Sequence, residues 1–533
     1  PRTIGSVITM ANSITKKTAP SNVRANVVIN LIRTLTMTIL SFITFPYVTR
    51  ALGDQVFGLY TWANTFVYYF LILAKISIPN VAIRECSKVR DDPEKFSHLA
   101  QQFFLLQGIT TLISFIFMAS LVFSVPSLSE NSGLIFLLSL NFLTGVFSFE
   151  WIYIALEKHF YITVRSITLL ALGALMTFVF IKAGASYPDS EGGQVNLAMN
   201  EVHIYALITV STTIFTSLIN VLILPRYVSF RKTAPYSFKG FVKPLLVLFA
   251  VSAALTLYNQ TDEFILGFLD PSKASVGAYS VGVKGVDIVI TLITSLYAVF
   301  MPRASYYYEK ENKVFYQNLI IYSFNITFFI AVPAIATMTT LSGPITSLIS
   351  GSSASGQYQD GEWVLVALSC MMLTYSIGDN IYTEIFIPAK QEGKYLYAML
   401  IGVVLNIGFS FLFAYFVFPA HPAIGVAIAT GGTDILLLAY LISSSWKWSK
   451  KAIFNWNNLK ICSLGVAVAV FTLLLKPVLA KALPFSSGTW QHELSLFLSL
   501  VGMDAVIYIG GLALCKERLV CSVFRKKKEE NHE

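Results

Sequence analysis

Hydrophobic positions in this chain fall in long runs separated by short polar segments. Windows of about 20 mainly apolar residues are long enough to cross a hydrocarbon core of about 30 Å as helices. They occur fourteen times, at 24 to 47, 56 to 80, 99 to 125, 133 to 156, 160 to 183, 201 to 225, 244 to 269, 276 to 301, 315 to 341, 362 to 388, 394 to 418, 422 to 446, 459 to 480 and 492 to 515. Such runs predict an all-α integral membrane protein of fourteen spans.

The polar connections carry a second pattern. Cytoplasmic loops retain lysine and arginine and exported loops do not. With both ends inside, 29 of the 38 lysines and arginines fall in inside segments and only Arg50, Lys182, Lys273, Lys476 and Lys481 fall outside. A single miscounted span near the middle would erase that alternation. The pattern predicts cytoplasmic termini for residues 1 to 23 and 516 to 533, the latter carrying the basic run Arg525 to Lys528, which would rest on anionic lipid.

Composition agrees and narrows the classes. Of 533 residues 55% are apolar and 13% charged, and mean hydropathy is +0.65. A soluble domain has about 25% charged residues. The formal charge of +9 is concentrated between apolar runs, where it reports topology, so nucleic acid is not expected as a partner. Cys86, Cys370, Cys462, Cys515 and Cys521 show no CxxC or CxxH spacing, and no metal or disulfide framework is expected. Residues 1 to 20 are polar and lack the apolar stretch of a cleavable signal peptide. The first residue is Pro1, so the native start need not coincide with it.

A weak internal repeat divides the spans. The elbow ALGDQVFGLY between spans 1 and 2 is echoed by FLDPSKASVGAY, residues 268 to 279, so that Gly58 and Tyr60 fall on Gly277 and Tyr279 at a shared offset of 219. Ile78-Pro79 recurs as Met301-Pro302, each followed by a basic residue, Arg84 or Arg303, and LEKHFY at 156 to 161 resembles KQEGKY at 390 to 395. Six spans return the chain to its starting side, so the repeats are parallel. The expected organisation is an N-lobe at 24 to 225, a basic linker at 226 to 243, a C-lobe at 244 to 446 and two appended spans at 447 to 515.

FPYVTRALGDQVFGLYTWANTFVYYF at 45 to 70, IPNVAIRECSKVRDD at 78 to 92 and GVFSFEWIYIALEKHFY at 145 to 161 resemble Wzx-type polysaccharide flippases, in the polysaccharide transport branch of the multidrug/oligosaccharidyl-lipid/polysaccharide (MOP) exporter superfamily. The resemblance implies two six-helix bundles around a central cavity, as in multidrug and toxin extruders. It also implies movement of an undecaprenyl-pyrophosphate-linked oligosaccharide between leaflets of the cytoplasmic membrane, with polysaccharide polymerase and glycosyltransferases as further partners beside membrane lipids.

Charges within spans mark the candidate pathway, because each costs about 2.5–3.5 kcal/mol at the bilayer centre on insertion scales and must face protein or water. Arg33 in span 1, Lys284 in span 8 and Lys75 are candidate ligands for a diphosphate. Their alternatives are a structural ion pair for Arg33, neutralisation of Lys284 by Asp287 and snorkelling of Lys75. Arg50, in the elbow, is a fourth candidate, gating the outer mouth with Asp54 or guiding the head group; the alternative is a local salt bridge. Asp262 and Glu263 in span 7, with Asp287 and Asp379, are candidates for coupling to H+ or Na+, the alternative being solvated span ends. No other cofactor is expected. Trp62, Tyr69 and Trp151 are candidate platforms for sugar rings, or else packing residues. A lipid II flippase and a multidrug/cation antiporter remain as alternative transporters. A membrane glycosyltransferase or polymerase would rely on Asp189-Ser190-Glu191, a triplet that arises easily by chance.

Overall fold

The computed structural model describes residues 23–181, 194–231, 235–351, 358–483 and 489–515. The N-terminal tail, the loop with Asp189-Ser190-Glu191 and the basic C-terminal tail lie outside the described residues. Every described element is helical: α1 Val23–Lys75, α2 Ile78–Lys88, α3 Pro93–Ser124, α4 Pro126–Ser129, α5 Ser132–Ser139, α6 Asn141–Phe147, α7 Glu150–Ala155, α8 His159–Phe180, α9 Gln194–Ile223, α10 Lys239–Leu269, α11 Ala274–Glu309, α12 Lys313–Thr340, α13 Ser342–Ser350, α14 Gly361–Ile381, α15 Glu392–Phe411, α16 Pro422–Ser444, α17 Trp446–Ile453, α18 Trp456–Ala482 and α19 Trp490–Leu514.

Thirteen helical stretches among the described residues are long and apolar enough to cross a membrane. The first of these, Ile32–Lys88, covers 57 residues and is interrupted at Ile76 and Ser77, which are left-handed. At 1.5 Å per residue that is about 85 Å, nearly three hydrocarbon thicknesses. It bends at Gly53, whose φ of 75° lies where a side chain would be strained, so the elbow divides α1 into two arms. The count of fourteen corresponds to reading those arms as separate crossings.

Polar and apolar positions are distributed as lipid requires. Ile39, Leu175, Val466, Leu474 and Val506 are exposed, whereas Gln107, Asn220, Asn380 and Asn406 are buried. In water such a surface would be one large apolar patch. Capping carboxamide and carboxylate side chains start several helices: Asp92 accepts from the amide of Lys95 (3.2 Å), Asn312 from Phe315 (3.3 Å) and Asn455 from Asn458 (2.8 Å).

The core is forked. One cluster joins Trp62, Phe66 and Phe70 of α1 to Leu266, Val276, Leu365 and Val426 of the second half of the chain. Toward the loops rich in lysine and arginine it gives way to two separate cores. One gathers Ile78, Phe96, Phe103, Trp151 and Ile162; the other gathers Tyr316, Phe324, Ile381, Phe386 and Leu441. The halves are therefore fused at the elbow end and diverge toward the basic end, except that the start of α10 (Phe241, Leu245) stays with the first-half core. The appended α18 and α19 pack on each other and against α12 and α13.

Candidate translocation pathway

The first cluster of charge is built by a broken span. Between α6 and α7 the backbone leaves the helix at Phe149, with φ 47°, and the Ser148 carbonyl is released from the ladder. Asn220 of α9 replaces the lost partner: its side-chain amide donates to Ser148, and its backbone oxygen accepts from the Tyr153 hydroxyl at 2.5 Å. Irregular backbone at membrane depth survives only when re-satisfied in this way. The break puts Glu150 on the first turn of α7. Its carboxylate accepts from Arg165 of α8 at 3.0 Å and from Arg33 of α1 at 3.3 Å, and Lys75 lies within its electrostatic reach. Arg165 also donates to Asn220 and is 3% exposed, while Arg33 and Glu150 are 25% and 35% exposed. Three cations thus surround one carboxylate, the buried one fixing its position and the two outer ones reaching open space.

Depth follows from helical rise. Arg33 lies twenty residues before the Gly53 bend and Lys75 twenty-two after it, so both sit about 30 Å from the elbow, at the basic end of the lobe. Lys284 is eleven residues beyond Lys273 and about 16 Å from the elbow, near mid-membrane. A single diphosphate therefore does not span from Arg33 to Lys284. From Lys284 a groove of about 210 Å³ runs between the first arm of α1 (Met37, Thr38, Ser41, Phe45) and α11 (Lys284, Asp287, Thr291) as far as Met37. Arg33 is one helical turn below Met37. Lys284 and Asp287 form no ion pair, and Lys284 has no hydrogen-bonding partner among the described residues.

The elbow closes the opposite end. Arg50 donates to the Leu348 carbonyl of α13, not to Asp54, and Thr49 donates to that of Ile349 at 2.7 Å. Tyr358 returns two bonds, its hydroxyl to the Thr49 carbonyl (2.9 Å) and its amide to Asp54 (3.2 Å). A β-carbon on Gly58 would stand 1.9 Å from the Lys273 carbonyl oxygen, and one on Gly277 would stand 2.3 Å from that of Asp54. Asp54 and Lys273 share the repeat offset of Gly58 and Gly277, so each lobe offers its glycine to the other's elbow in a reciprocal contact. Arg50 belongs to this seal and stands outside the groove.

The acids gather in the second half of the chain. Asp262 accepts from the Tyr279 hydroxyl and from Thr430 at 2.8 Å, and Thr430 accepts from Asn406 at 3.0 Å. Asp262 Oδ1 and Asn406 Oδ1 are both buried without a donor. Asp262 and Asp287 line one cavity of about 280 Å³, and Asp287 also opens on the groove beside Lys284. Glu263 is separate: it accepts from Thr65 of α1 at 2.7 Å and from Ser280 at 3.3 Å, tying the lobes together. Asp379 shares a smaller cavity with Asp434, which accepts from Tyr258.

The aromatic candidates are packing residues. Trp62 is fully buried between Phe268, the Lys273 ammonium at 4.3 Å and the α10 backbone at Gly267. Trp151 is buried edge-on to Phe103, and Tyr69 packs edge-on to Phe264 at 5.3 Å. No sugar ring reaches Trp62 or Trp151 in this arrangement, because the faces that would stack are covered by protein. Arg165 and Asn220, by contrast, were not singled out from sequence. An arginine inside an apolar run was the available signal for the first; the second carried none.

Comparison with known proteins follows the same lines. Residues 23–308 match a family described as polysaccharide biosynthesis protein. Over 267 residues the chain is 20% identical to the "Putative O-antigen transporter" of Escherichia coli (strain K12), a match covering 50% of this chain and 61% of that relative. Its fold resembles the lipid II flippase MurJ in an inward closed conformation, with TM-score 0.67 and 15% identity over 90% of this chain and 99% of the other. It also resembles an inward-facing multidrug resistance MATE family transporter of the MOP superfamily, with TM-score 0.58 and 15% identity over 80% of this chain and 99% of that one. These likenesses identify the fold as that of MOP-superfamily transporters.

Proposed function

Because the chain belongs to the polysaccharide biosynthesis protein family, we propose that it is a flippase moving an undecaprenyl-pyrophosphate-linked oligosaccharide across the cytoplasmic membrane by alternating access. The observation that carries this reading is the pair of cationic stations on one route, the Arg33, Arg165 and Lys75 cluster at the basic end and Lys284 at the far end of the groove. Guanidinium groups hold phosphate oxygens in bidentate geometry and remain charged at any working pH. The diphosphate first meets Arg33 and Lys75 in the inner leaflet, then moves along the α1–α11 groove to Lys284, while the prenyl chain stays in lipid. The elbow seal must open before release, and the lobes then meet at the basic end. With the basic loops cytoplasmic, the forked core is the inward-facing member of that cycle.

Coupling to H+ or Na+ fits the acids of the second lobe. Asp262 Oδ1 and Asn406 Oδ1 lack donors, and a small cation supplies the charge that a buried carboxylate needs. Asp287 connects that cavity with the groove, so occupancy at one is felt electrostatically at the other.

Reconstitution in liposomes with a fluorescent lipid-linked oligosaccharide tests the reading. Leaflet exchange without covalent change is expected. Exchange confined to lipid II, efflux of a cationic dye, or turnover of the sugar would each replace it with one of the alternatives.

A further inference from the structure

Away from the translocation groove, at the basic end of the second half of the chain, α11 and α12 flank an open surface cavity of about 460 Å³. Its polar lining consists of the Arg303 guanidinium, the Asn318 amide and the phenols of Tyr306, Tyr307 and Tyr322. None of these side chains has a hydrogen bond or ion pair to protein among the described residues, and no carboxylate lines the cavity. The repeat makes the contrast plain. Arg84, the basic residue after the corresponding proline of the first lobe, donates to Glu85 at 2.9 Å, whereas Arg303 has no acid to meet. Arginine carries five N–H donors and no acceptor, so convergence of such a group with phenols and an amide selects an anion.

The rim specifies what carries the anion. Tyr306 and Phe315 are exposed at the ends of apolar helices, where aromatic residues mark the membrane interface, and Tyr322 is exposed about two turns deeper. Basic pockets between membrane helices at that level take lipid head groups. We propose that this surface groove is a binding site for an anionic phospholipid, whose phosphate sits on Arg303 and Asn318 while its acyl chains run past Tyr322 toward the membrane centre and Phe315 flanks the head group. A free phosphate would leave the aromatic rim without a role. The site is separate from the transport route and does not depend on which molecule the protein moves.

Purified full-length protein in a neutral detergent can be titrated with dioctanoyl phosphatidylglycerol, with dioctanoylglycerol, which lacks phosphate, and with inorganic phosphate, reading the thermal midpoint. Saturable stabilisation by the phosphatidylglycerol alone is expected, weakened about tenfold in Arg303→Gln and less in Arg303→Lys. Because Arg303 is exposed and unpaired, the unliganded midpoint of Arg303→Gln should match the parent; if it does not, Arg303→Lys and Asn318→Leu decide the question in the same titration. Undiminished stabilisation of the variants, or equal stabilisation by inorganic phosphate or by dioctanoylglycerol, would overturn the proposal.

Discussion

Glu150 decides how the basic cluster behaves. It holds Arg165, buried at 3% exposure, and Arg33, a quarter exposed, with its two oxygens. Removing one partner of a buried pair strands the other charge at about 3–5 kcal/mol. Glu150→Gln should therefore destabilise the protein toward the lower end of that range, since Glu150 itself is partly exposed; a thermal midpoint equal to the parent's would show that Arg165 is compensated elsewhere. Arg33 is the more accessible cation and its removal strands little. Arg33→Ala should fold as the parent does and lose most leaflet exchange, while Arg33→Lys keeps part of it, because the lysine retains charge without the bidentate fork. Full exchange by the alanine variant would remove Arg33 from the route. Asp270, in the turn between α10 and α11, titrates outside the membrane. Burial works to raise its carboxyl, but donation from the Ser272 hydroxyl (2.6 Å) and from the amides of Ser275 (2.8 Å) and Ser272 (2.9 Å) outweighs it, leaving the group below the usual carboxylate range. A depressed acid contributes stability above its unfolded-state value and loses it as pH falls through its folded one. The gap in thermal midpoint between the parent and Asp270→Asn should thus close below about pH 4; a gap independent of pH would deny the carboxylate that role.

At the scale of elements, apolar periodicity made the helices legible because lipid imposes one requirement on every span. Which face of a helix meets protein was less legible, since a span apolar all round carries no moment to orient it. For Trp62 and Trp151 the sequence leaves sugar platform and packing residue both open, and they are buried, because the partner surfaces at Gly267 and Phe103 come from distant segments. The break at Phe149 was invisible, as nothing in GVFSFEW marks a left-handed residue. The elbow was partly readable. Its glycines align at one offset in both lobes, and the structure gives the reason in two close approaches of backbone to Cα. A methyl group 1.9 Å from a carbonyl oxygen has nowhere to go, because the obstacle is backbone. Gly58→Ala and Gly277→Ala should each push the elbows apart. In a cysteine-free background, bridging of Thr49→Cys to Ile349→Cys by a short bifunctional thiol reagent should fall severalfold in either variant. Unchanged bridging would mean that the contact yields at no cost.

For the molecule as a whole, the forked core shows which end is open and the asymmetry of charge predicts which side that end faces. Packing shows that the lobes are fused at the elbow and part at the loops carrying Arg90, Lys158, Arg303, Lys390 and Lys447. The positive-inside rule uses no packing information, yet assigns those same loops to the cytoplasm. Taken together they predict that the open end of the fork is cytoplasmic, as the proposed flippase needs while it loads from the inner leaflet. Both can be checked together in intact cells. Glu130→Cys, beyond α4 at the elbow end, and Lys313→Cys, at the start of α12 at the basic end, are both exposed positions. An impermeant thiol reagent added outside should label the first and spare the second until the membrane is permeabilised. Labelling of Lys313→Cys in intact cells would invert the molecule, and the seal made by Arg50 and Tyr358 would then close the inner mouth and not the outer.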